Sequence, residues 1–427
     1  MVKSRRNVLK IVLVALVPGC NTRSERTTNQ QDSPTDGLAA TKESPPSQSH
    51  GLQNSTVSES TPQTTENHPT ESESTDTDTR DFTKTWEHSL ELPPRAPAVF
   101  EDAVLVPSVT EDRSRLINVR AGTGERDWNI GIPDGDYSSL PKADGGILYC
   151  SGHAEAIAVS IAAATRSWSA KPDGTGYFVS QPLLLDETLL VPASNPNNPS
   201  AETTEKYFRL YAFEASSGDQ SWSVDFDARI AGAATTNQFA IVQVENGRIV
   251  KINKNGTIVW ERSLPRRTTN FSPSISGDTI YANGSRSITA LHSRDGSKRW
   301  ESQRDGHILD VVEDGVIYDS VEDDTSTVLK LSKENGEILW ENQLSVLSNP
   351  AVGEMHSGVL YLAVTRSPTS REMAGLVGID STSGTVVATH SFGGEYRTQP
   401  VVSDNSVFIG HGTTGSGYMI SRFQTLD

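Results

Sequence analysis

Cys20 and Cys150 are the only thiols among the 427 residues, and their surroundings differ. Cys20 closes an N-terminal apolar run, where the chemistry open to it is acylation or that of a free thiol. Cys150 ends the run Ile147-Leu148-Tyr149-Cys150, in which a strand would bury it as an unreactive sulfur. With Cys20 modified, Cys150 has no intramolecular partner, so no disulfide framework is expected. The nine histidines are scattered without ligand spacing. The acidic run from Glu322 to Asp324 offers oxygen ligands for calcium, yet its setting reads as a solvated hairpin loop. Asn54, Asn255, Asn270 and Asn283 open Asn-x-Ser/Thr triplets that could accept a glycan, although Asn255 reads rather as a turn residue.

The N-terminus reads as an address. Lys3, Arg5, Arg6 and Lys10 precede an apolar stretch from Ile11 to Val17 that is too short to span a bilayer as a mature helix. The string around Arg5 and Arg6 resembles a twin-arginine export signal, departing from it in having Val8 where Phe is usual. The sequence Val17-Pro18-Gly19-Cys20 is similar to a lipobox, with Pro18 its unusual member. That resemblance implies cleavage before Cys20 and acylation of its thiol, so residues 1–20 are expected to be a lipoprotein signal peptide. The mature chain is then expected on the outer face of the cell membrane.

Between Asn21 and Arg80, 23 of 60 residues are Ser or Thr, mixed with Asp, Glu, Gln and Pro. Such a segment buries too little apolar surface to offset its chain entropy, and residues 21–80 are expected to be a disordered tether. A formal net charge of −17, with no Lys/Arg cluster after residue 10, argues against nucleic acid as a partner. Acidity of this size resembles that of proteins from salt-loving archaea, where salt screens self-repulsion.

From Asp81 onward the chain repeats. Trp86, Trp128, Trp168, Trp222, Trp260, Trp300 and Trp340 recur at gaps of mostly about 40 residues, the period of a four-stranded propeller blade. The two longer gaps contain the insertions 195–206 and 365–375. A Gly stands four residues before most of these tryptophans: Gly124, Gly218, Gly256, Gly296 and Gly336. Ala164 takes that place before Trp168, and Gly384 leads to Ala388 where an eighth indole would be expected.

This spacing has a physical reason. The turn needs positive φ, which Gly adopts without steric cost, and a Trp on the outer strand can then lie on the backbone of the neighbouring blade's turn. The tryptophans and glycines are therefore read as structural, docking one blade on the next. Eight units open, but the last, from Gln399, ends without a Trp, while Trp86 has no unit before it. Joining the two closes the ring and removes exposed edges. The expected fold of residues 81–427 is an all-β, eight-bladed propeller of four-stranded antiparallel blades, whose N-terminal strand completes the last blade.

Segments such as Leu116–Trp128, Arg209–Trp222, Ile288–Trp300 and Val328–Trp340 resemble the PQQ-repeat, or PQQ-like, β-propeller family. The resemblance covers residues 81–427 and implies two kinds of function. Quinoprotein dehydrogenases of similar fold add a vicinal cysteine pair, calcium-binding carboxylates and an aspartate base, and no adjacent cysteines occur here. Other members resemble the barrel-assembly lipoprotein of Gram-negative outer membranes, a scaffold. The expectation is a monomeric, membrane-anchored, non-enzymatic scaffold without cofactor or metal, whose partner is a protein or glycan; the alternative is a PQQ-dependent dehydrogenase.

Overall fold

The computed structural model describes residues 80–427 except 111–112, 133–140, 153–154, 172–176, 179–180, 196–206, 265–271, 285–286, 304–305, 323–324, 345–352, 365–374, 393, 395, 414–416 and 427. Arg5, Arg6, Cys20, most of the Ser/Thr-rich segment, Asn54, Asn270, all but one residue of each insertion, and Asp323 and Asp324 lie outside the described residues.

Eight sheets follow one another around a ring. The first blade shows the pattern: an inner strand Ala98–Phe100, then Ala103–Val109, Ser114–Arg120 and the outer strand Arg126–Gly131, each antiparallel to the one before. Blades two to seven repeat it over residues 142–170, 183–226, 230–263, 274–302, 307–344 and 353–391. The eighth takes Val401–Ser403, Ser406–Thr413 and Gly417–Gln424 from the C-terminus, and its outer strand is Lys84–Leu90 from the other end of the chain. The expected closure is therefore present, with Trp86 opposite Arg422 in the last blade.

The apolar core is divided. Eight clusters of buried side chains lie one at each junction between successive blades, including the junction of the eighth with the first, where Leu90, Val104, Ile117, Phe408 and Ile420 meet. Second strands contribute large rings to these clusters, and Tyr281, Tyr318, Tyr361 and Phe408 are almost fully buried. Each blade thus buries both faces, which is why these strands read as continuous Val/Ile/Leu runs instead of alternating ones.

Every outer strand carries a β-bulge immediately before the indole position. The register skips Thr85, Asp127, Ser167, Ser221, Val259, Arg299, Leu339 and Val387 in turn. A bulge twists an edge strand and interrupts its ladder, a device that discourages edge-to-edge pairing. One feature was not anticipated: Arg80–Asp81 forms a short fifth strand, parallel to Ala388–Thr389 on the outside of the seventh blade.

Candidate functional site

The recurrent Trp and Gly meet across blades. The indole of Trp86 lies against Gly124, Trp168 against Gly218, Trp222 against Gly256, Trp260 against Gly296, Trp300 against Gly336 and Trp340 against Gly384. A methyl group on any of these glycines would stand under 3 Å from a ring atom or, at Gly296, from the side chain of Arg262 as well. At Gly218, φ is +78°, the left-handed conformation that a β-carbon disfavours. Each indole N–H also donates to a carbonyl of the same turn, as from Trp86 to Ala121 at 2.8 Å and from Trp300 to Lys333 at 2.7 Å. Burying one such ring contributes several kcal/mol before entropy is subtracted, roughly 4 to 6 by area.

Two lysines reinforce this lock, and sequence reasoning missed them. Lys251 pairs with Trp260 across the strands, and both donate to Ser293 O, at 2.8 and 3.1 Å. Lys330 pairs with Trp340, and both donate to Ser381 O at 3.0 Å; the same ammonium is 2.7 Å from Asp314. Their signal was the residue that faces the Trp across the strands, nine positions before Trp260 and ten before Trp340, which is Ala212 or Ala290 in other blades.

Two junctions depart from the pattern. At the second blade's turn, Ala164 sits at φ +51°, and among the described residues Trp128 has no indole hydrogen bond. A cavity of about 370 Å³ lies there, lined by Ile130, Ile132, Ile157, Val159, Ala164 and Arg166. At the seventh blade, Ala388 leaves room that Phe82 fills. Phe82 is buried among Tyr361, Leu376, Ala388 and Phe423, and its ring faces Gly378. The N-terminal segment is further tied by His390 Nδ1 to Asp81 Oδ1 at 2.8 Å, and by Ser421 Oγ donating to Glu87 at 3.1 Å while it meets His411 Nε2 at 2.8 Å.

The ring axis carries charge. Lys142 on the second blade's inner strand interacts with Glu354 on the seventh, which is possible because both face inward; burial lowers the lysine's affinity for its proton, with Asp144 and Glu354 opposing. Glu354 accepts from the Val402 N–H at 2.6 Å. Asp310, on the sixth blade's inner strand, has its carboxyl pushed up to about 6 by burial, against donation from the backbone N–H groups of Val311 and Met355. Burial likewise brings the guanidinium of Arg397 down to about 10. These inward charges had no recognisable sequence signal, since each stands alone in its repeat.

The remaining reactive groups are placed as follows. Cys150 is buried in Ile147–Ser151, and desolvation pushes its thiol up to about 12. Asn283 is buried, its amide donating to Ser272 O while its Oδ1 accepts from Ile308 N, so its triplet is closed to a glycan in the folded protein. Asn255 is exposed in its turn. Glu322, the first residue of the acidic run, ends a strand and pairs with Thr325, while the other two lie outside the described residues. His411 and Ser421 do not form a nucleophile pair on the surface, because Ser421 is fully buried and its hydroxyl serves Glu87. Among the described residues no three His, Cys, Asp or Glu converge as metal ligands.

The described residues do not fit a quinone–calcium centre. That chemistry needs converging carboxylates and a reactive aspartate, whereas Asp310 is held by two backbone amides and the thiol of Cys150 is both solitary and inert.

Comparison with known proteins gives one family match, to residues 200–307, by the model described as outer membrane protein assembly factor BamB. No curated protein matches the sequence. Several solved structures share the fold. BamB from Moraxella catarrhalis is 14% identical, with a TM-score of 0.59 over 80% of this chain and 99% of that one. The computationally designed Ika8 protein is 10% identical, with a TM-score of 0.62 over 80% and 99%. Quinohemoprotein alcohol dehydrogenase from Comamonas testosteroni is 10% identical, with a TM-score of 0.59 over 82% and 78%. At these identities the likeness is one of fold.

Proposed function

We propose that this propeller is a non-enzymatic platform that holds a protein partner at the outer face of the cell membrane. The observation that carries the reading is the match of residues 200–307 to the BamB model, with the same closed ring over nearly the whole length of the Moraxella BamB structure. What BamB is named for, outer-membrane protein assembly, supplies the class of activity: holding proteins together. A glycan partner is the broader form of the same reading. The geometry agrees with it, since the reactive side chains described above are buried, paired or directed into blade junctions.

In this reading Arg5 and Arg6 direct export through a twin-arginine route, Cys20 carries the lipid, and residues 21–79 form the tether. Replacing Cys20 with Ser is expected to release the mature protein into the medium, read by fractionation; retention in the membrane would count against the anchor. Cross-linking from intact membranes followed by pull-down is expected to recover a stoichiometric protein partner. The fold likeness to quinohemoprotein dehydrogenases supports the alternative, and dye-linked alcohol oxidation after adding PQQ and calcium would favour it over the platform.

A further inference from the structure

The large apolar side chains exposed on the described surface form two pairs at one recurring position: Ile258 with Val259 on the fourth blade, and Ile338 with Leu339 on the sixth. This is the bulge before the indole. Five blades place Thr, Asp, Ser or Arg at the bulged residue, and Val387 of the seventh packs with the core shared with the eighth. Val259 and Leu339 instead leave half of their surface, 50% each, in solvent. Bulged edges gain solubility from polar residues, so an apolar residue there departs from the device that protects the other blades.

The molecule itself shows what such an edge accepts. On the seventh blade, Arg80–Asp81 lies beside Ala388–Thr389 directly after the bulge, held by the His390–Asp81 contact. A strand added there pairs through its backbone, and its alternate side chains are read by the surface beside it.

We propose that the outer strand of the sixth blade, Ile338–Leu344, receives an extended segment of a partner protein in which apolar and basic residues alternate. Ile338 and Leu339 supply the apolar contact. Glu334, Glu337 and Glu341 are exposed around them, and among the described residues none of the three is in an ion pair. The fourth blade is a natural comparison: its apolar pair has Lys254 and Arg262 nearby, and Glu261 is held by Arg248. The chain's own upstream segment has the wrong sign, since residues 71–78 contain Glu and Asp with no Lys or Arg. The inference rests on the platform reading and names one of its edges; failure here leaves that reading standing, because it would concern this strand alone.

The test uses the full-length protein and a nine-residue peptide alternating Val and Lys, with a Val/Glu peptide and an oligolysine of equal charge as comparisons. Calorimetry is expected to show binding of the Val/Lys peptide only, and hydrogen exchange to show new protection within residues 338–344. Leu339→Glu and the milder Leu339→Ser, each checked for an unchanged melting temperature, are expected to weaken binding at least about tenfold, while Val259→Glu leaves it unchanged. Equal binding of oligolysine, protection confined to other blades, insensitivity to both Leu339 variants, or no binding at about 1 mM peptide would each overturn the proposal.

Discussion

The indole of Trp86 rests on Gly124 across the seam where the two chain ends meet, with its N–H donated to Ala121 O at 2.8 Å. Trp86 belongs by position to the C-terminal blade and by sequence to the N-terminus. The ring is thus closed by the same contact that joins its interior blades.

Gly124→Ala tests that contact. The added methyl would lie 2.7 Å from the ring, at a backbone φ of +75°. Strain and overpacking together are expected to cost about 2 to 4 kcal/mol, read by denaturant unfolding. Gly131→Ala, with nothing within 4 Å of the new atom, is expected to be nearly neutral.

Phe82 substitutes for the indole that Ala388 lacks. Phe82→Ala is expected to destabilise by about 3 to 5 kcal/mol through the cavity it leaves. Deleting residues 81–95 removes Phe82 and the closing strand together, and is expected to abolish cooperative melting and promote aggregation. An unchanged melting curve after that deletion would falsify the closure.

Ala164 is the non-glycine residue at the docking turn, with φ at +51°. Ala164→Gly is expected to gain about 0.5 to 1 kcal/mol by relieving left-handed strain, partly offset by the freer unfolded chain. Filling the neighbouring cavity from the other side, with Gly131→Val, is not expected to give the same gain. Both are read from denaturation midpoints.

Two buried groups give opposite pH responses. Burial pushes His411 down to about 4 from 6.5, opposed by Glu87 and reinforced by Lys84 and His390. Between those values the unfolded chain binds the extra proton, so stability falls as pH drops through the window, by up to about 3 kcal/mol. Burial raises Asp310 to about 6 from 3.8, so the folded state holds the extra proton there and stability falls as pH rises, by a similar amount. The two offset each other between pH 4 and 6. His411→Gln is expected to make the protein gain stability on acidification through that range, and Asp310→Asn to make it lose stability, measured by urea unfolding at several pH values.

The ring was legible because its fastening is local in sequence: a turn Gly and a Trp four residues apart report a docking that spans two blades. Closure was legible from the mismatch between Trp86 and the unit beginning at Gln399. Phe82 was not, because a single Phe near Trp86 has no period, and only the room left by Ala388 gives it a role. Lys142, Glu354 and Asp310 were equally silent, since facing an axis is a property of the assembled ring and not of any one repeat. The exposed pairs at Ile258 and Ile338 looked like strand residues, and only their exposure separates them from the core.

Because Lys84–Leu90 pairs with Gly417–Gln424, the first outer blade strand to be synthesised is the one seated last. Seven blades can be complete while the eighth still lacks its outer member, and loop closure over more than three hundred residues must precede the final gain in stability. Until the last residues emerge, the nascent chain carries two open sheet margins, and folding in confinement or alongside a chaperone would protect it most in that interval.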